Sequence, residues 1–543
     1  QHCSYDAVNG FRLANTQVNH RSRKFARKSP PRNPTVAPIS SANVAFLLSL
    51  DAGTTGVRTL LLDGSGEVVD LEYRELTQHY PAPGLVEQSA EEIWRLTADT
   101  LEAVVTRASA LGRGIASVGI TNQRETVIAW DRRTGAVLGP ALVWQDKRTT
   151  ATCSQLRSDG HLDLVRSTTG LVLDPYFSAT KMAWLLEHHD LARFDALALG
   201  TVDSWLLWNL TGGADGGTFA TDPSNASRTM LFDLTRQAWS PEMAALFGVP
   251  LGAMAEVRPS CGRFGTIRSD AAPKARGLPI SGILGDQQSA LFGQACFAPG
   301  MVKATYGTGA FVLAQVGAEV PSPTDGLLAT TAWDLGHHGG VAFALEGSAF
   351  VAGAAIQWLR DELGIIASAT ETEALARSVE SSDGLSFIPA FVGLGSPWWD
   401  DSARGALVGI TRGSGRGALA RAVVESLAFE VRAITDAMAE ATGVPLVALR
   451  ADGGAAAMDL LLATQAAQSQ LRVMRPRSLE TTALGAATIA GLAEGVFASL
   501  EEVASCCTPA ETFEPDGDPA MLDVAYRSWL DALERSRGWA ERA

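Results

Sequence analysis

The sequence predicts an α/β chain of two related domains facing each other across a cleft, and three observations predict it. Strands and helices alternate from Val44 onward. A short apolar hairpin with a Gly/Thr turn occurs near residue 53 and again near residue 307. A third glycine-rich turn, at residues 451–456, also follows a strand. The 543 residues are enough for two separate cores.

Residues 1–43 stand apart. They carry Arg12, Arg21, Arg23, Lys24, Arg27, Lys28 and Arg32 against the single acid Asp6, followed by the proline-rich run at 29–34. An acid-poor leader bearing Arg and Ser is similar to a transit peptide. It has no clear amphipathic helix and no apolar core of a signal, so it is read as a disordered leader, or an extension foreign to the fold.

From there the elements follow in order. Residues 44–50 read as a buried strand and 57–62 as its return, ending in the Asp63-Gly64-Ser65-Gly66 turn. The loop between them is Asp51-Ala52-Gly53-Thr54-Thr55-Gly56. Its small residues let amides and threonine hydroxyls approach phosphate oxygens, and Asp51 can hold a hydrated Mg²⁺. Alone, the hexapeptide fits an ordinary hairpin turn equally well, and no Gly-Lys-Ser/Thr follows as in a P-loop.

Residues 93–110 form an amphipathic helix, and 116–120 a strand running into Thr121-Asn122-Gln123-Arg124-Glu125. Strands at 127–130 and 141–144 lead to a helical middle region that includes 181–188 and 203–209. A strand at 279–284 ends at Gly285-Asp286-Gln287-Gln288. The second hairpin spans 301–315 and turns at Thr305-Tyr306-Gly307-Thr308-Gly309. The domain boundary falls near 296–300, giving domains 44–297 and 298–543. A helix at 417–441, a strand at 446–450 and the loop Ala451-Asp452-Gly453-Gly454-Ala455-Ala456 complete the series; Gly-Gly there serves a nucleotide or merely a helix junction.

Composition narrows the function. With 46% apolar and 19% charged residues the chain is globular. A net charge of −15 argues against nucleic acid as a partner. No apolar run approaches the roughly 18–20 residues of a membrane span. The six cysteines are scattered, which argues against a zinc site or a disulfide framework and fits a reducing cytoplasm.

Taken together, the three turns outline one nucleotide site: 51–56 for the transferable phosphate, 305–309 for the others, 452–456 for the adenosine. Asp286 suits a general base or the N-cap of a helix at 287–295. Arg124 and Glu125 place both charges side by side at the end of a strand, and such a pair is more often a solvated one.

Longer motifs extend this picture: residues 119–126 (Gly-Ile-Thr-Asn-Gln-Arg-Glu-Thr), 169–178, 225–232, 281–288, 305–309 and 393–397, with Tyr176, Ser178, Lys181 and Trp184 in spaced register. By these the chain resembles the sugar and polyol kinases of the actin-like ATPase superfamily, most closely those acting on glycerol. The resemblance runs from about Val44 to the C-terminus. It implies two RNase H-like domains flanking a deep catalytic cleft, and ATP-dependent phosphorylation of glycerol to sn-glycerol 3-phosphate in the cytoplasm by a homodimer or homotetramer.

The same resemblance assigns roles. Asp286 is the base. Arg124, Glu125, Trp144, Tyr176, Asp286, Gln287 and Phe311 hold the polyol. Thr54, Thr55, Gly56 and Arg58 lie near the phosphates, with Asp51 on the Mg²⁺ side. Thr308, Gly353, Gln357, Gly454 and Met458 line the nucleotide. Two departures stand out. Met458 replaces a common Asn, and a thioether cannot supply an amide's donor and acceptor. Residues 269–278 diverge from a regulatory sugar-phosphate loop of some relatives. The alternatives are a kinase for erythritol, dihydroxyacetone or a pentulose, or a non-catalytic actin-like nucleotide-binding protein.

Overall fold

The computed structural model describes residues 45–542. The leader at 1–43 therefore lies outside the described residues. Two mixed sheets carry the fold. The first contains β1 (Phe46–Ala52), β2 (Gly56–Leu62), β3 (Val68–Glu75), β4 (Ile115–Asn122), β5 (Cys261–Thr266) and β6 (Pro279–Gly285), with helix α1 (Ala90–Ser109) between β3 and β4, and α2 (Asp286–Gly293) after β6.

Across this sheet the order is β3-β2-β1-β4-β6-β5. β1 and β2 form the expected hairpin, with Asp51 opposite Arg58. β4 and β6 join parallel on the other side. Because β1 is covered on both faces, all seven of its residues are buried, Asp51 among them. β3 is the edge strand that the sequence did not announce. Its exposed face mixes apolar and charged residues, and Asp70 and Glu72 pair with Arg107 of α1, a charged edge that discourages pairing with another chain. Ser89 caps α1 by accepting the Glu92 N–H, with acids in the first turn and Arg107 in the last.

The second sheet contains β7 (Met301–Tyr306), β8 (Ala310–Gly317), β9 (Leu328–Asp334), β10 (Val341–Ala349), β11 (Ala448–Asp452), β12 (Arg472–Pro476) and β13 (Pro509–Phe513). Its helices are α3 (Gly353–Asp361), α4 (Arg416–Thr442), α5 (Asp459–Ser469) and α6 (Thr481–Ala493). The order is β9-β10-β8-β7-β11-β12-β13. β7 and β8 are the second hairpin, β10 pairs antiparallel outside it, and β11 and β12 are parallel inside it. The plan of the first sheet is thus repeated, which is the RNase H-like doubling expected from the sequence.

A smaller sheet joins Glu87–Gln88, just before α1, to Ala141–Leu142, Val127–Asp131 and Leu197–Thr201 from between β4 and β5, where helices at Ser178–His188 and Val202–Leu210 also lie. Helix α6 comes from the second half of the chain yet packs on β1, β4 and β6 of the first sheet and against α2. Glycines make that approach possible. A Cβ on Gly119 would overlap the Ala486 carbonyl, and Gly293 and Gly485 meet the facing helix backbone in the same way. Among the described residues, no helix is long and apolar enough to cross a membrane.

Candidate active site

The site lies where the ends of β1, β4 and β6 meet the second hairpin. At the end of β4 the chain turns sharply: Thr126 N–H donates to Arg124 O (2.8 Å) around Glu125, whose φ of 63° is left-handed. This turn sends Arg124 and Glu125 into the protein, and both are almost fully buried. They are therefore no solvated surface pair.

Both are held by residues that the sequence reading did not single out. Arg124 grips Glu346 of β10 through two parallel bonds, Nη1 to Oε2 (2.6 Å) and Nη2 to Oε1 (2.9 Å). Arg228 donates from Nε to Glu125 Oε1 (2.7 Å) and from Nη2 to Glu346 Oε1 (3.0 Å). Two acids and two guanidinium groups thus form one neutral buried cluster. Burial alone would raise the Glu346 carboxyl, but Arg124 and Arg228 outweigh it and hold it near 2. Glu125 goes the other way: burial lifts its pKa despite Arg124 and Arg228. The signal for Glu346 was available as an acid within an apolar strand, and for Arg228 within the 225–232 motif.

Asp286 begins α2. The cap residue is Gly285, so Asp286 is the first helical residue, one position beyond the expected N-cap. Gly285 has its own requirement, since a Cβ there would press on the Arg124 side chain at 2.8 Å. Asp286 Oδ1 accepts the Gln287 N–H (2.7 Å) and stands 3.2 Å from Arg124 Nε. Its side chain remains 31% exposed. Burial raises its pKa, partly opposed by Arg124 and Lys303 and reinforced by Asp51. A carboxylate made more basic in this way is suited to accept a hydroxyl proton.

Lys303 of β7 is a third residue absent from the sequence reading. Its buried ammonium donates to Gln287 Oε1, to Thr305 Oγ1 (2.8 Å) and to Phe311 O (3.4 Å). With the lysine holding its oxygen, the Gln287 amide has its NH₂ left to donate. Burial lowers the Lys303 pKa to about 8, against the pull of Asp452 and Asp286.

Two of the remaining polyol candidates, Tyr176 and Trp144, form a wall. They meet edge to face, 5.5 Å between centroids. Lys181 Nζ donates to the Tyr176 carbonyl (2.7 Å), and burial and Glu125 push the Tyr176 phenol pKa upward. Trp144 Nε1 also donates to Thr54 Oγ1 (2.9 Å), tying the wall to the first loop. That loop is further braced at the Thr54 carbonyl by Gln78 (2.6 Å) and Gln88 (2.8 Å). Thr55 is exposed at the loop tip. Gly56 is explained locally, because a Cβ would strike the Tyr73 ring of β3.

Arg58 and Asp51 are paired, Arg58 Nε to Asp51 Oδ2 at 2.7 Å, and Arg58 reaches on to Glu480. Asp51 consequently keeps one oxygen free of this pairing. Among the described residues, no group of three or more His, Cys, Asp or Glu side chains could hold a metal. The Asp51 oxygen left free by Arg58 suits Mg²⁺ held through a carboxylate, waters and phosphate oxygens.

The second loop is locked to α3: Gly353 N–H donates to Gly307 O (2.8 Å) and Ala352 N–H to Thr308 O (2.7 Å). Gln357 lies exposed one turn into α3. In the third loop, Gly453 abuts the Tyr306 backbone at φ 88°, whereas a Cβ on Gly454 would meet open space. Gly454 is thus the one with room for a ligand. Met458, only 8% exposed, belongs to the apolar core of the second half.

Comparison with known proteins shows the family. The FGGY family of carbohydrate kinases matches through its N-terminal domain at residues 46–293 and its C-terminal domain at 302–494. The chain is 47% identical to a glycerol kinase of Bordetella parapertussis over 92% of its length and 98% of the relative's. It is 48% identical to one of Aromatoleum aromaticum, over 91% and 99%. A solved structure of Plasmodium falciparum glycerol kinase with ADP superposes with a TM-score of 0.86 at 31% identity, over 91% of this chain and 98% of that one. The chain belongs to the FGGY family of carbohydrate kinases and groups within it with the glycerol kinases.

Proposed function

We propose that this chain transfers the γ-phosphoryl group of ATP to a terminal hydroxyl of glycerol, giving sn-glycerol 3-phosphate. The observation that carries the reading is the meeting of Asp286 with the buried Arg124–Glu125 pair beside the Trp144–Tyr176 wall. Glycerol offers only hydroxyls and a short carbon chain. It needs a donor, an acceptor and an apolar surface together.

In this reading Arg124 and the Gln287 amide donate to hydroxyls, Glu125 accepts, and Trp144, Phe311 and Tyr176 flank the carbons. The attacking hydroxyl gives its proton to Asp286. Oδ1 already carries the Gln287 N–H, so Oδ2 is the oxygen for that proton. Phosphoryl transfer proceeds through a loose transition state, so the proton moves late and a moderately basic carboxylate suffices. Thr54, Thr55 and the 305–309 loop supply donors to the phosphates, and Thr308, Gly353, Gln357 and Gly454 border the nucleotide, while Met458, in the apolar core, offers it no polar contact. Asp51 would hold the Mg²⁺ through water, with Arg58 fixing its other oxygen. When bound, the ion neutralises charge on the phosphates.

The test is Asp286→Asn. Phosphorylation falls by at least about a hundredfold, while calorimetry still detects glycerol binding. Near-parental turnover would overturn the base assignment. A panel of erythritol, dihydroxyacetone and pentuloses, with ADP release measured, checks the substrate itself.

A further inference from the structure

We propose that Glu346 is the positioning residue of the polyol pocket: a buried carboxylate from the second sheet that fixes the guanidinium of Arg124, on the first, in its substrate-binding orientation. The proposal rests on the reading that Arg124 binds the polyol.

Nothing local requires an acid here. β10 is buried along nearly all its length, and Glu346 sits between Leu313 of β8 and Leu328 of β9 in the ladder. It is fully buried. A buried ion cluster is weak as a source of stability, because desolvation consumes most of the Coulombic gain, and apolar residues of similar volume often serve as well. What an apolar residue cannot do is orient a guanidinium.

The hydrogen-bond inventory shows what that orientation accomplishes. A guanidinium has five N–H donors in a fixed plane. Arg124 Nη1 spends both of its hydrogens, on Glu346 Oε2 (2.6 Å) and Gln288 Oε1 (3.2 Å). Nη2 spends one on Glu346 Oε1 (2.9 Å). Nε stands 3.2 Å from Asp286. One Nη2 hydrogen is left for a ligand, and the two-point grip of Glu346 sets where it points. Arg228 shares Glu346 Oε1 and holds Glu125 in turn, so the pocket's donor and acceptor are both referred to this one carboxylate. Because Glu346 belongs to the other sheet, the polyol pocket is complete only when both halves are docked as they are here.

The test varies glycerol and ATP separately in the intact protein carrying Glu346→Gln or Glu346→Asp. The amide keeps the shape but accepts on one side only. The shorter acid keeps the charge but cannot span both arginines. Glycerol KM rises roughly tenfold or more with Gln, as expected for loss of a bidentate charged pair, and by a smaller factor with Asp, while ATP KM stays within about twofold of the parent. If the Gln variant does not fold, the Asp variant carries the test. A folded variant with parental glycerol KM, or one in which both KM values rise together, overturns the proposal. Failure of the underlying reading looks different: the parent does not phosphorylate glycerol, or Arg124→Ala leaves glycerol KM unchanged.

Discussion

Lys303 is the side chain from which an alkaline limit to the proposed activity is expected. Its ammonium serves Gln287, Thr305 and the Phe311 carbonyl at once, which takes all three of its hydrogens. Burial brings its pKa down to about 8, so the proton is present below that pH and lost above it. A neutral amine has only two hydrogens and no charge to hold the Gln287 oxygen. We therefore expect kcat/KM for glycerol to decline above about pH 8, and Lys303→Met to lower the plateau roughly tenfold and to abolish that alkaline limb. A variant that keeps the parental pH profile would show that another group titrates there. On the acid side the sign is opposite. As the proposed base, Asp286 must be ionised to take the proton, and its pKa lies above the ordinary carboxylate value, so activity is expected to be lost as the pH falls through that raised value.

At the scale of elements, Gly119 lies midway along β4, where it costs the strand a side chain and gains local disorder in the unfolded chain. Its reason is α6, whose Ala486 carbonyl occupies the space of the missing Cβ. Gly119→Ala must push a helix backbone off the sheet, and overpacking against backbone costs about 3 kcal/mol. Calorimetry of Gly119→Ala against Gly114→Ala, where a Cβ meets nothing within 4 Å, should show a lowered melting temperature only for the first. Equal melting temperatures would remove α6 as the reason for the glycine. The same contrast marks what was legible in the chain. The two hairpins, α1, α4 and the three glycine turns follow from local periodicity and turn residues, and they match the structure to within a few residues. Glu346, Arg228 and Lys303 did not emerge, because their roles depend on distant partners, from 16 positions away for Lys303 and Gln287 to 222 for Glu346 and Arg124. The exposed strand β3 was missed for a related reason: an edge strand open to solvent on one side lacks a buried-strand pattern.

At the scale of the whole molecule, the two halves are matched by separate domain patterns, yet they share a core. One apolar cluster joins Leu47, Leu60, Leu284 and Leu291 of the first half to Leu313, Trp333, Leu484 and Ile489 of the second. Helix α6 supplies much of that cover, with Leu484, Ile489 and Leu492 essentially buried. At about 2 kcal/mol for each such side chain, the three contribute an amount comparable with the entire net stability of a small domain, about 5–15 kcal/mol. The boundary we propose near residue 297 therefore divides sheets and functions, not folding units. A fragment of residues 45–297 would leave β1, β4 and β6 exposed on the face where α6 packs. We expect that fragment to lack a cooperative thermal transition and near-ultraviolet circular dichroism, and the intact chain to melt in one endotherm. Two resolved endotherms in the intact chain, or a sharp transition in the fragment, would show that α6 is an accessory to the first half and not part of its core. The shared core also bears on the proposed chemistry, since Asp286, the carboxylate proposed as base, opens α2, the helix on which α6 rests.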